Sequence, residues 1–159
     1  MATEKLKYKL ELYSEYWDKA PIAEVLVNDK SYWNGEVKSS ENNPTVIEFT
    51  HESEENKEVN LVIKRSNKDK HQTKIEDSKF VKDQLLFIKS INIDEIEIGN
   101  MVYEGVYRPE YLPEWAEQQR KAGVDLPETE KNVTCMGHNG VWTFTFSSPF
   151  YMWLLENLY

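Results

Sequence analysis

Lys5-Leu6-Lys7-Tyr8-Lys9-Leu10-Glu11-Leu12 and Val141-Trp142-Thr143-Phe144-Thr145-Phe146 are the stretches that decide the fold. In the first, charged residues alternate with apolar or aromatic ones; in the second, Trp142, Phe144 and Phe146 alternate with Thr143 and Thr145. A strand sends successive side chains to opposite faces, so this period gives one apolar face and one wet face. Shorter segments repeat the pattern. Ala23, Val25 and Val27 form a strand ending at Asn28-Asp29, residues that tolerate the positive φ of a tight hairpin turn. Tyr32 to Val37 returns as a third strand, with a bulge or a second turn expected at Asn34-Gly35. Thr45 to His51 and Glu58 to Arg65 follow, then a long polar loop from Ser66 to about Asp83. Gln84 to Ile98 switches parity between Ile93 and Ile96, which requires a bulge or turn at Asp94-Glu95. Met101 to Tyr107 is a further short strand, and Val133–Met136 with Val141–Phe146 suggests a hairpin around Gly137 to Gly140. Pro113 suits a first helical turn and Gly123 a helix stop, so one short helix is expected near 113–122. The pattern predicts an all-β, two-sheet antiparallel β-sandwich, jelly-roll-like, with that helix and a C-terminal apolar tail, helical or extended.

The composition narrows the function classes. The chain has 159 residues and a formal net charge of −9, with 5 Trp, 9 Tyr and 6 Phe. That aromatic content supports a packed core, and the length suits one domain. The acidity excludes phosphate-backbone binding as a main task, since that needs a concentrated basic patch; no nucleic-acid partner is expected. The single Cys135 rules out an intrachain disulfide and a Cys-cluster zinc site. No apolar run approaches the ~20 residues of a membrane span, and the N-terminal alternation has no signal-peptide core, so synthesis in a cytoplasm and no membrane partner are expected. The sequon at Asn132 carries weight only after secretion.

Catalytic chemistry is hard to find. The sequence has no G-x-S-x-G elbow, phosphate-binding loop, dinucleotide fingerprint or H-E-x-x-H pair, and His51, His71 and His138 stand far apart. No nucleophile–base pair is visible, and a binding or assembly protein is favoured over an enzyme. In the polar loop, Asn67, Asp69, Asp77 and Asp83 offer the hard oxygen ligands calcium uses, in competition with Lys68, Lys70, Lys74, Lys79 and Lys82. No other cofactor is expected. Residues 1–148 read as the sandwich domain. Residues 149–159 read as an apolar segment that packs on the domain or on a partner, with Phe150, Trp153, Leu154, Leu158 and Tyr159 as anchors for another subunit or a second copy. Trp33, Tyr107, Tyr111 and Trp115 are the alternative site, as platforms on which a sugar ring stacks.

Two resemblances sharpen these expectations. Asn67-Lys68-Asp69, followed by the run Asp83, Ile88, Ile91, Ile93, Asp94 in the pattern D-x-x-x-x-I-x-x-I-x-I-D, resembles carbohydrate-binding-module-like sandwich domains of the calcium-dependent, xylan-binding type. The blocks YRPEYLPEW over 107–115, GHNGVW over 137–142 and SPFYMWLLEN over 148–157 are similar to virion-associated proteins of T4-like phages, notably marine cyanophages. Together they cover about residues 58–159. They imply a jelly-roll-like sandwich built into or displayed on a phage capsid or tail, with other virion subunits as partners and a glycan as the alternative ligand. The loop departs from the calcium-bearing pattern: Gln72-Thr73 and Asp77-Ser78 stand where Asp-Thr and Asp-Gly pairs would be.

Overall fold

A computed structural model describes residues 2–77, 79–98, 105–131 and 133–157. Twelve strands and two helices appear among them: β1 (Thr3–Glu15), β2 (Ile22–Val27), β3 (Lys30–Glu36), β4 (Thr45–Glu54), β5 (Glu58–Ser66), β6 (Lys74–Glu76), β7 (Lys79–Lys82), β8 (Leu85–Ile93), β9 (Ile96–Glu97), β10 (Val106–Pro109), α1 (Pro113–Lys121), β11 (Cys135–Met136), β12 (Gly140–Ser147) and α2 (Phe150–Asn157). One sheet runs β11-β8-β1-β4, with β9 against β8; the other runs β10-β12-β5-β2-β3, and all pairings are antiparallel. This is the two-sheet sandwich the alternation requires.

The two decisive stretches lie in opposite sheets. Leu6, Tyr8, Leu10 and Leu12 of β1 and Trp142, Phe144 and Phe146 of β12 are all at most 1% exposed and belong to one core cluster. Burying each such side chain contributes about 1.5–3 kcal/mol, so two strands with one apolar face apiece are stable only when those faces meet. The outward lysines of β1 stay wet. One irregularity, between Glu11 and Leu12, shifts the register of β1 against β8.

Several local expectations need correction. Asn34-Gly35 does not interrupt β3; the irregularity lies earlier on that strand, where Tyr32 is the extra residue between Ser31 and Trp33 opposite Leu26 and Val25, and the Trp33 ring packs over Gly35. The turn expected at Asp94-Glu95 does form, with φ of 53° and 69°, and from it β9 folds back on β8. The segment read as an unbroken polar loop contains the β6–β7 hairpin. Its lysines brace it: Lys74 and Lys82 lie 4.6 and 4.9 Å from the Trp17 ring centre, a cation–π arrangement that strand periodicity does not reveal. Val133–Met136 does not form a hairpin with β12. β11 instead joins β8 in the other sheet, because Met136 is fully buried opposite Leu86. Residues 137–139 therefore bridge the two sheets. Of the strand expected over 101–107, residues 101–104 lie outside the described residues and β10 begins at Val106.

The C-terminal segment is helical. Phe150 is fully buried and Leu154 9% exposed, both within the core cluster, and the Phe150 ring meets Phe146 edge-to-face at 5.1 Å. The start of α2 is capped from the far end of the chain. The Phe150 amide donates to both Glu4 carboxylate oxygens at 2.9 and 3.0 Å, and the Ser148 hydroxyl donates to one at 2.9 Å.

Candidate functional site

The bridging turn at 137–139 and helix α1 meet at one end of the sandwich. Gly140 opens β12 opposite Pro109, and a Cβ there would lie 2.4 Å from the Arg108 carbonyl oxygen. The missing side chain lets β10 and the turn approach closely. Tyr107, 1% exposed, fixes the turn from beneath: its hydroxyl donates to the His138 carbonyl and accepts from the His138 amide at 3.2 Å. Burial raises the Tyr107 pKa and holds the hydroxyl protonated, against the smaller opposing effect of the His138 backbone bond.

Above the turn, His138 meets two aromatic rings. The His138 ring centre lies 4.8 Å from Trp115 and 4.9 Å from Tyr111, and Tyr111 stacks on Trp115 at 5.8 Å. The Tyr111 hydroxyl donates to the Pro127 carbonyl at 2.7 Å, which pins that ring behind the tryptophan. Desolvation, aided by the nearby cationic Lys68, pushes the His138 pKa down to about 4. The imidazole is therefore neutral at neutral pH and acts as a third flat, uncharged ring.

Trp115 and His138 line a groove of about 270 Å³, closed on one side by Lys68, Lys70, Thr73 and Ile75 and on the other by Leu112, Glu114 and Gln118. An adjoining shallower depression shares Lys68, Lys70, Leu112 and Glu114 and reaches Asp69, His71 and Pro113. The groove thus combines an aromatic wall with a cationic Lys70, an anionic Glu114 and the amide of Gln118. An aromatic wall with a few polar groups at its rim suits a polar ligand with flat apolar faces.

Of the four platform candidates, Trp115 lines this groove, and Tyr111 packs against Trp115 and His138 without lining it. Tyr107 supports it from the interior and presents no face to a ligand. Trp33 lies elsewhere, on β3 at the opposite edge of the sheet from β10. Four strand spacings put it roughly 19 Å away. His138 is the residue that sequence reading passed over as a turn residue. Only its contact with a helix more than twenty positions earlier reveals its role, and no local pattern encodes that contact.

The four calcium candidates do not converge. Among the described residues no three His, Cys, Asp or Glu side chains are grouped to hold a metal ion. Asp69 pairs with Lys19 at 2.8 Å and accepts the His71 amide at 2.9 Å. Asp83 pairs with Lys68 at 2.9 Å, and the same oxygen accepts from the Thr73 hydroxyl and the Gln84 amide. Asn67 directs its amide nitrogen at the Ala20 carbonyl, and Asp77 is an exposed turn residue with φ of 50°. Both Asp69 oxygens and one Asp83 oxygen are thus bonded to lysines, a hydroxyl and amides, and the described carboxylates form no group of three, so these residues do not fit calcium.

Of the five anchor candidates, Phe150 and Leu154 face the core of their own domain, and Trp153 packs partly buried against it. Leu158 and Tyr159 lie outside the described residues. The apolar side chains that α2 does expose are Tyr151, Met152 and Leu155. No helix among the described residues is long and apolar enough to cross a membrane.

No family model and no curated protein matches the sequence. Among solved structures the chain is similar to vCBM60 in complex with galactobiose, with a TM-score of 0.51 and 6% identity over 87% of this chain and 96% of that one. A selenomethionine form of vCBM60 matches at a TM-score of 0.49 and 7% identity, over 87% and 89% of the two chains. It is described in connection with circular permutation between two families of calcium-dependent carbohydrate binding modules. At such identities the likeness is one of architecture: the fold is a carbohydrate-binding-module-like β-sandwich.

Proposed function

We propose that this protein is a non-catalytic glycan-binding module whose ligand lies in the groove between α1 and the 68–75 segment. The observation that carries this reading is the wall that Trp115 and a neutral His138 give the groove, with Tyr111 packed against both rings. A pyranose ring has an apolar face made of C–H groups and a rim of hydroxyls. The Trp115 ring offers the matching surface, while Lys70 and Gln118 donate and Glu114 accepts hydrogen bonds from the rim. The similar solved structure, described with a bound galactobiose, supports the reading from the side of the fold.

A glycan array probed with wild-type protein, with and without chelator, tests it. The expected result is binding to neutral oligosaccharides that Trp115→Ala weakens at least tenfold, about 1.4 kcal/mol, and that Trp33→Ala leaves unchanged. Silence of the wild-type protein on the array in both conditions overturns the proposal.

The second reading is a structural or decoration subunit of a phage particle. It draws on the resemblance of the 107–115, 137–142 and 148–157 blocks and on the exposed Tyr151, Met152 and Leu155, which are 44%, 57% and 62% accessible. Contacts with other virion subunits or a second copy would use that face of α2. Its test is whether the chain copurifies with particles and is released by Leu155→Glu.

A further inference from the structure

We propose that the Lys68 ammonium is the built-in cation of this end of the sandwich, holding the groove in shape where the sequence pattern suggests a divalent metal. The proposal concerns how the groove is assembled and holds whatever ligand the groove takes.

The Lys68 side chain is 5% exposed, unusual for a lysine. Its ammonium lies 2.9 Å from the Asp83 carboxylate and donates to the Gly137 carbonyl. One point charge thereby ties Asp83, two residues before β8, to the turn that carries His138. The main chain repeats the link: the Lys68 amide donates to the Asn139 side-chain oxygen at 3.0 Å, and the Asn139 side-chain nitrogen donates to the Lys68 carbonyl at 2.9 Å. Lys68 itself forms part of the groove wall facing α1. Removing the ammonium would leave the 68–75 wall joined to the His138 turn through the Asn139 bonds alone.

The surroundings disfavour a second cation. Arg65, 1% exposed, donates to the Asn139 side-chain oxygen at 2.9 Å and to the Gln84 carbonyl. Two fixed positive charges therefore share this pocket with the single carboxylate of Asp83, whose bonded oxygen already receives three donors. A divalent ion would meet repulsion from both bases and find that oxygen taken. Burial lowers the pKa of Lys68, and the bond to Asp83 offsets part of that shift.

Thermal unfolding of the full chain in calcium chloride and in chelator provides the test, together with Lys68→Met and Lys68→Met/Asp83→Asn. The wild-type curves are expected to coincide. A bound metal would raise Tm by about 5–10 °C at a calcium concentration one hundredfold above its Kd. Lys68→Met, which keeps the chain length and removes the charge, is expected to lower Tm by several degrees. The double variant recovers part of that loss by removing the stranded carboxylate. Any calcium-induced rise in wild-type Tm overturns the proposal, as does a Lys68→Met protein that melts with the wild type. The wild-type comparison stays decisive if Lys68→Met does not fold. Because no sugar enters the assay, its failure is distinguishable from a failure of the glycan reading.

Discussion

Replacing Phe150 with alanine separates a C-terminal helix that belongs to the core from one that merely rests on it. The Phe150 side chain is fully buried, meets Phe146 edge-to-face at 5.1 Å and lies 6.4 Å from the stacked Trp153 ring. Truncating a buried phenylalanine removes its transfer energy and leaves a cavity, together about 3–5 kcal/mol. Domains of this size have roughly 5–15 kcal/mol in total, and each kcal/mol moves Tm by about 2–4 °C. Phe150→Ala should therefore lower Tm by about 6–20 °C and shift the urea midpoint in proportion, with little change in slope. Leu155→Ala, one turn on but 62% exposed, provides the contrast and should move stability by at most about 0.5 kcal/mol. Equal, small effects of the two substitutions would refute the reasoning, because they would mean that α2 contributes nothing to the core and is free to serve as a docking tail.

Two further outcomes follow from the electrostatics. Glu4→Ala removes the carboxylate that receives the Phe150 amide and the Ser148 hydroxyl, and should cost about 1–2 kcal/mol, measured by chemical denaturation. An unchanged midpoint would show that water caps α2 equally well. His138 is neutral in the fold down to about pH 4, whereas the unfolded side chain protonates near 6.5. Between those values the unfolded state binds the extra proton, so stability is full above pH 6.5 and falls as pH drops toward 4. The loss is about 1–2 kcal/mol after discounting for solvent screening of a ring that is only half-buried. In His138→Gln that increment should be missing, and a wild-type-minus-variant difference that stays constant from pH 7 to 4 would disprove it.

The sheets were legible in the sequence because period-2 alternation is local: Leu6, Tyr8, Leu10 and Leu12 report their common face without reference to any partner. Helix α1 was legible for the same reason, from Pro113 and Gly123. Partner choice was not. Cys135-Met136 reads as one arm of a hairpin with Val141–Phe146, yet it crosses to β8, because burial of Met136 beside Leu86 outweighs the short connection. The candidate site was half legible. Tyr111 and Trp115 stand out as exposed-looking aromatics beside prolines, whereas Tyr107 looks identical and is interior. What turned the polar loop from a metal site into a lysine-bound one was the pairing of Lys68 with Asp83 and Lys19 with Asp69, contacts across 15 and 50 positions that spacing does not specify.

The cap that Glu4 places on α2 also bears on how the chain comes to be folded. Its two partners are 146 positions apart, and β1 must find β8 across about half of that distance. At synthesis rates of about 5–20 residues per second, roughly 7–30 s separate the emergence of Glu4 from that of Phe150. During that interval β1 waits first for β4 and then for β8, and β12, which carries the aromatic face opposite it, emerges last. The lysines that alternate along β1, Lys5, Lys7 and Lys9, then act as gatekeepers that keep a waiting strand from pairing with the wrong chain.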